Sequence, residues 1–235
     1  KQMPPSSFGE ASTSDDADSD ATASESLTDA ESILSECLSA AVPQQWLSWH
    51  YRSQDESLIA FSNLHYYEGR LSSFPAPGLG VGGGHSDRGL SLVRVGGVFE
   101  RSGKGKTLRT NRKEAEAIVE EIRRRFEASP EAVPSIGVVT FNQQQRAFIE
   151  ALIRDGGDTR IIEALDSSQE EGLFIKNLEN VQGDERDVIL FSTAFSVNAN
   201  GVLPLNFGPL SLEGGERRLN VAITRARRQV VLFTS

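Results

Sequence analysis

Short apolar runs alternate along this chain with stretches in which apolar side chains return every three or four positions. The runs "LSLVRV" (90–95), "SIGVVTF" (135–141), "GLFIKNL" (172–178), "DVILFSTAF" (187–195) and "QVVLFTS" (229–235) are short and rich in β-branched or aromatic residues, so each predicts a strand. "QWLSW" (45–49) is a sixth candidate. Helical patterns lie between them, over 55–66, 111–126 and 143–153. In the second of these, Ala115, Ile118, Val119, Ile122 and Phe126 form one stripe, and Asn111 with Glu114 reads as a capping box. Glu120 with Arg124 and Glu121 with Arg125 are four apart, which makes the "RRR" run a solvated face. A further helix is expected over 28–42, capped by Thr28 and Glu31, with Ala30, Ile33, Leu34, Cys37, Leu38 and Ala41 on its buried side.

Strands separated by helices of this length need crossover connections, hence parallel pairing and a sheet covered on both faces. The predicted fold class is α/β with a mainly parallel central sheet. Ligands of such sheets sit at the carboxyl ends of strands, which directs attention to the loops after "QWLSW", "GVVTF", "FIKNL" and "ILFSTAF".

Charge alters the picture only once its position is considered. A formal charge of −9 argues against a polyanionic partner, but the first 37 residues hold nine acids and one lysine, leaving 24 acids and 23 bases elsewhere. The body is close to neutral, so local basic patches decide what it binds. Residues 6–28 carry almost no large apolar side chain, too few to offset the entropy of ordering them, and 1–28 is expected to be a flexible acidic lead into a domain over 29–235. A Gly-rich insertion spans 75–90. Lys1 stands where an initiator methionine is expected, as if the chain were cut from something longer.

One cysteine excludes an internal disulfide framework and suggests a reducing, cytoplasmic setting, while three scattered histidines make a metal site improbable. No run approaches the roughly 18 apolar residues of a membrane span. Two phosphate-loop look-alikes fail on context: "GLGVGG" (78–83) does not open a helix, and "GKGKT" (103–107) has Glu100 where the leading glycine is required.

Four segments place polar groups beside a predicted strand. In "HYRS" (50–53), Tyr51 can lie on a base or sugar while Arg52 forks onto phosphate oxygens, although surface pairing is the commoner use of such an arginine. In "VVTFNQQQ" (138–145), Thr140, Asn142 and Gln145 are uncharged hydrogen-bonding groups suited to a nucleic-acid strand, and Asn142 doubles as a helix cap. In "VQGDERDVI" (181–189), Gln182, Gly183 and Glu185 occupy a tight turn in which Gly183 permits close backbone approach. Finally, "RRLNVAITRARR" (217–228) packs five arginines into twelve residues. Read as one helix, it puts Leu219, Ala222, Ile223 and Ala226 on an apolar face, Arg217, Asn220, Thr224 and Arg228 opposite, and Arg218 and Arg225 on a flank.

Taken in order, these segments resemble the second RecA-like motor domain of superfamily 1 helicases, in the branch of the nonsense-mediated-decay helicase and its replication-nuclease and bacterial relatives. "KQMPP" resembles the end of motif III, "LSWHYRSQDESLIAFSNLHYYEGRL" the segment around the first arginine finger, "GVVTFNQQQ" the strand-binding region, "VQGDERDVI" motif V and "RRLNVAITRAR" motif VI. The resemblance implies a three-layer RecA-like P-loop NTPase fold without its Walker A loop. It implies that Gln2 senses the terminal phosphate and that Arg52 and Arg225 are arginine fingers. Glu185 would contact the nucleotide ribose or help link hydrolysis to strand movement, Tyr51 would lie near the nucleotide with Gly183, and Thr140, Asn142, Gln145 and Gln182 would hold single-stranded DNA or RNA. Phe141 stands where the family often has proline. The sequence contains no Walker A and no acidic magnesium-binding motif, so ATP and Mg2+ would be held mainly by an N-terminal RecA-like domain of the same parent chain, and the chain alone is expected to be inactive. A non-catalytic nucleic-acid-binding or assembly module with a degenerate motor fold is the competing reading.

Overall fold

The computed structural model describes residues 33–75, 87–101, 108–167, 171–197, 201–203 and 205–235. Gln2, the acidic lead, the Thr28/Glu31 cap and both phosphate-loop look-alikes lie outside the described residues. The elements in chain order are α1 (Ile33–Ser39), β1 (Trp49–His50), α2 (Ser57–Tyr66), β2 (Ser72–Ser73), β3 (Gly89–Arg94), α3 (Arg112–Ala128) and β4 (Ile136–Thr140). They continue with α4 (Gln143–Gly156), α5 (Thr159–Asp166), β5 (Phe174–Asn177), β6 (Arg186–Ser192), a 3-10 turn (Gly208–Ser211), α6 (Gly215–Ile223) and β7 (Ala226–Thr234).

Five strands form one sheet in the order β3-β7-β6-β4-β5, every pair parallel. Central β4 and β6 are buried almost end to end, which is why they read as continuous apolar runs rather than alternating ones. The five-residue stripe of α3 is buried as predicted, against Ile136, Val138, Leu190 and Val231 on one face of the sheet, together with α4 and α5. Burial of each such side chain is worth about 1.5–3 kcal/mol, enough to fix this helix on the sheet. The other face packs Val139, Ile189, Phe191 and Val230 against Leu58 of α2 and Ala222 of α6. The result is the three-layer α/β architecture with a parallel central sheet that the sequence predicts.

Four local expectations are corrected. α1 buries none of its side chains, and Cys37 is exposed, because no described element covers the apolar face that its periodicity creates. "QWLSW" supplies only Trp49 to the two-residue β1, which pairs with β2 outside the main sheet. α5 was absent from the predicted elements; Asp158 caps it by accepting from the N–H groups of Arg160 and Ile161, and it buries Ile161 and Ala164. Residues 217–228 are not one helix: α6 ends at Ile223 and the strand β7 begins at Ala226, so Arg227 and Arg228 belong to the sheet. Asn220 and Thr224, expected to face away from the apolar side, are buried.

Candidate functional site

Parallel strands give the sheet two chemically distinct ends, and the candidate residues divide between them. At the amino end, residues 50–54 run beside the start of β7: the Gln54 N–H donates to Arg227 O at 2.7 Å and Ser53 Oγ to Ala226 O at 3.1 Å. This docking delivers Arg52 to a turn far away in sequence. Its Nε donates to Glu185 Oε2 at 2.6 Å and its Nη1 to Thr224 O at 3.3 Å. That hydrogen bond from Arg52 holds the Glu185 carboxyl below its ordinary range. Arg225 follows α6, and its N–H and Nε donate to Ala222 O and Val221 O, which satisfies the carbonyls orphaned at the helix end. Burial, then the neighbouring Arg52, lowers the Arg225 pKa. The His50 ring is likewise depressed by burial and by both arginines, and its Nε2 accepts from the Ser53 N–H at 3.2 Å.

Two guanidiniums therefore converge with one carboxylate from three separated segments, leaving surplus positive charge on this edge. Tyr51 beside them is 81% exposed. Gln182 and Gly183 are exposed on the preceding turn, where Gly183 has φ 95°, a backbone conformation that side chains disfavour. Of the other basic residues of the segment, Arg227 also approaches Glu185, with Nη1 3.7 Å from Oε1, but its hydrogen bonds go elsewhere. Arg227 donates to Glu171 and Asp187 at 2.6–2.8 Å, holding the Glu171 carboxyl down at about 2. Arg218 donates to Glu213 O at 3.2 Å.

At the carboxyl end, Thr140 is in register with Asn177 of β5 and with Ser192 of β6. Thr140 Oγ1 donates to Asn142 O at 2.8 Å, and Asn142 caps α4 through the Gln145 N–H at 2.7 Å. Gln145 is fully buried: its Oε1 accepts from the Asn111 N–H at 2.8 Å, and its Nε2 donates to Asn111 O at 3.1 Å and to Ser192 Oγ at 3.0 Å. The expected direct contact of Thr140 and Gln145 with a strand is thus corrected, since both side chains are enclosed and occupied within the protein. The capping box at α3 is half corrected for the same reason. Asn111 does cap the Glu114 N–H, but Glu114 turns inward, accepting from Ser192 Oγ at 2.7 Å and the Ala194 N–H at 2.8 Å. Burial pushes its carboxyl up to about 7.

What remains open at this end is a cleft of about 470 Å3, lined among others by Asn142, Asn177, Phe99, Phe195, Arg101 and Arg109. Asn142 Nδ2 and Asn177 Oδ1 are buried with no hydrogen-bond partner among the described residues. Asn177, Phe99 and Phe195 were not among the sequence candidates, although "FIKNL" and "ILFSTAF" were among the strands whose carboxyl ends deserved inspection. The available signal was a polar residue ending each buried strand.

The amino-end donors suit the phosphates of a nucleotide: two guanidiniums on an open edge are partly uncompensated, and an added anion would relieve their mutual repulsion. Magnesium is different. Among the described residues no group of three or more His, Cys, Asp or Glu side chains could hold a metal ion. Nor is any described helix long and apolar enough to cross a membrane.

Comparisons with known proteins bear on the family of the chain. The chain is 35% identical over 193 residues to the uncharacterized ATP-dependent helicase MG140 of Mycoplasma genitalium, and equally to its homolog in Mycoplasma pneumoniae. Those alignments cover 80% of this chain but only 16% of each relative. Among solved structures, the C-terminal domain of a possible DNA helicase from Lactobacillus plantarum WCFS1 aligns over 78% of this chain and 86% of that one, at 9% identity and a TM-score of 0.42, a likeness too loose to carry an argument. The AAA domain family matches residues 30–235. The helicase resemblance first carried by the ordered motifs is thus shared by the curated relatives, and by the extent of that family match the chain belongs to the AAA domain family.

Proposed function

We propose that this chain is the C-terminal motor domain of an ATP-dependent superfamily 1 helicase or translocase, supplying arginine fingers to a nucleotide and part of the surface for single-stranded DNA or RNA. The observation that carries the reading is the convergence of Arg52, Glu185 and Arg225 from three separated segments on one edge of the sheet. Phosphoryl transfer needs positive charge around its equatorial oxygens, and fingers brought across a cleft are worth about 10³ to 10⁵ in rate. In this reading Arg52 and Arg225 hold the charge that develops, Glu185 orients Arg52 through their 2.6 Å bond, and Tyr51 with the Gly183 backbone flanks the nucleotide. Arg225 would leave its helix-end carbonyl to reach the phosphates, so the two side-chain bonds it now makes, Nε to Val221 O and Nη2 to Thr224 Oγ1, keep it parked until a partner domain closes. ATP, when bound, supplies the phosphoanhydride that is cleaved. Gln2 would sense its terminal phosphate, and an N-terminal RecA-like domain would hold most of it together with magnesium. The strand would lie at the opposite, carboxyl end of the sheet, with Asn142 as its contact and Gln182 at the turn between the two sites.

The test is steady-state ATP hydrolysis by the longer parent protein carrying Arg225→Ala. Turnover falls by orders of magnitude with the fold intact; turnover at the wild-type rate would remove the finger assignment and favour a non-catalytic module.

A further inference from the structure

We propose that the cleft at the carboxyl end of the sheet is a pocket for one unpaired nucleobase of the bound strand, with Phe195 as its stacking surface and Asn142 and Asn177 as the groups that meet the base edge. The inference rests on the strand-binding reading above and deepens it from backbone contact to base contact.

Three observations carry it. The cleft, at about 470 Å3, has room for a base and its sugar. Its wall is aromatic: Phe195 lies 4.9 Å from Phe99 and 5.7 Å from Phe207 between ring centroids, and Gly208, at φ 61°, carries the chain past the Phe195 ring in a conformation that side chains disfavour. Every base has a π-face, so such a wall takes a base of any identity. The floor holds one unpartnered donor, Asn142 Nδ2, and one unpartnered acceptor, Asn177 Oδ1, the other atom of each amide being occupied by the Gln145 N–H and by Glu179. Buried polar atoms left unpaired are costly, and a donor with an acceptor is the complement that a base edge presents. At the rim stand Arg101 and Arg109, neither in an ion pair among the described residues, placed for the flanking phosphates.

The wall is also held rigidly. Ala194 has φ 59°, unusual for a residue with a Cβ, and both sides of it are fixed: its N–H donates to Glu114 Oε1 at 2.8 Å and its carbonyl accepts from Asn111 Nδ2 at 3.4 Å. Glu114 and Asn111 are therefore positioning residues for Phe195. The interior network that occupies Gln145 and Ser192 is the support of this pocket.

The experiment measures, at one fixed salt concentration, the affinity of the full 235-residue chain for oligo-dT and oligo-U. It then repeats the measurement with strands of the same length in which every base is replaced by an abasic sugar. Wild type binds the abasic strands on the order of 10- to 100-fold more weakly, the range that stacking of a base on an aromatic ring supplies. Phe195→Ala binds based and abasic strands alike, at the abasic level, and Phe195→Leu, which keeps the packing volume, does the same with an unchanged circular-dichroism melt. If strands bind but removing their bases changes nothing, or if the base preference survives in both Phe195 variants, the pocket is refuted and the strand-binding reading stands. If neither based strand binds, the strand-binding reading falls and takes the pocket with it.

Discussion

The two ends of the parallel sheet carry opposite chemistry. The amino end gathers Arg52, Glu185 and Arg225, charged groups held at the surface by bonds to backbone carbonyls and to one another. The carboxyl end gathers Asn142, Asn177, Phe99 and Phe195, neutral amides and rings, above an enclosed network of Asn111, Glu114, Gln145 and Ser192. Charge on an open edge suits an anion that arrives and leaves. Amides and rings in a cleft suit a ligand that must be held by its face and edge. On the proposed reading, one sheet serves two ligands without letting their chemistry mix.

Disruption of the amino end gives the largest expected effect. Removing the two proposed fingers, with Arg52→Ala and Arg225→Ala together, is expected to lower ATP turnover of the proposed parent motor by about 10³-fold or more, measured by phosphate release. If both arginines act on the same oxygens, as proposed, the effect is not the sum of the two single changes. At the carboxyl end the next effect is on stability. Gln145→Ala removes three buried hydrogen bonds and strands the Asn111 N–H, costing roughly 3–4 kcal/mol in urea unfolding. A Gln145→Ala chain that kept its stability but lost strand affinity would restore the direct contact that the resemblance implies.

Glu114 sharpens the comparison through pH. Its carboxyl is raised to about 7 in the folded chain from an ordinary value of 4.5, so the contribution of the protonated form is complete below about pH 4.5 and is lost as pH rises through 7. Between pH 5 and pH 8 this removes about 2–3 kcal/mol of stability. Glu114→Gln, which stays neutral, abolishes that part of the slope in denaturant melts taken across the same range. The smallest effect belongs to Glu185→Gln. The Arg52–Glu185 pair is part-exposed, at 30% and 41% of the two side chains, so its loss changes unfolding free energy by less than about 1 kcal/mol. Any larger effect on turnover therefore reports on orientation of Arg52 rather than on folding.

Much of the fold could be read from period alone. The five core strands and the buried stripe of α3 are set by apolar spacing, which tertiary context does not override when both faces of a sheet are covered. Failures occurred where local pattern and packing part company. α1 has an amphipathic period but no described neighbour, so Cys37 is exposed. "RRLNVAITRARR" continues a helical period past Ile223, yet Ala226 onward pairs with β3 and β6, because ladder hydrogen bonds in the sheet centre outweigh propensity. That Arg52, Glu185 and Arg225 deserve a common reading is visible in the sequence because each lies in a contiguous motif, and the structure brings the three together. The pocket is not legible there, since Phe99 and Phe195 lie on separate loops and Asn177 ends strand β5, and only the strand order brings the three together. Thr140 and Gln145 show the converse: a polar residue at a strand end can belong to the scaffold beneath a site.

The separation of the two ends is tested most directly by measuring ATP turnover at saturating strand and strand affinity side by side, for Arg225→Ala and for Phe195→Ala in the same parent protein. The account predicts a crossed result, with Arg225→Ala losing turnover but keeping strand affinity within about 2-fold, and Phe195→Ala losing affinity by about 10-fold or more but keeping turnover. If both variants lose both properties in proportion, the two ends form a single site and the account is wrong.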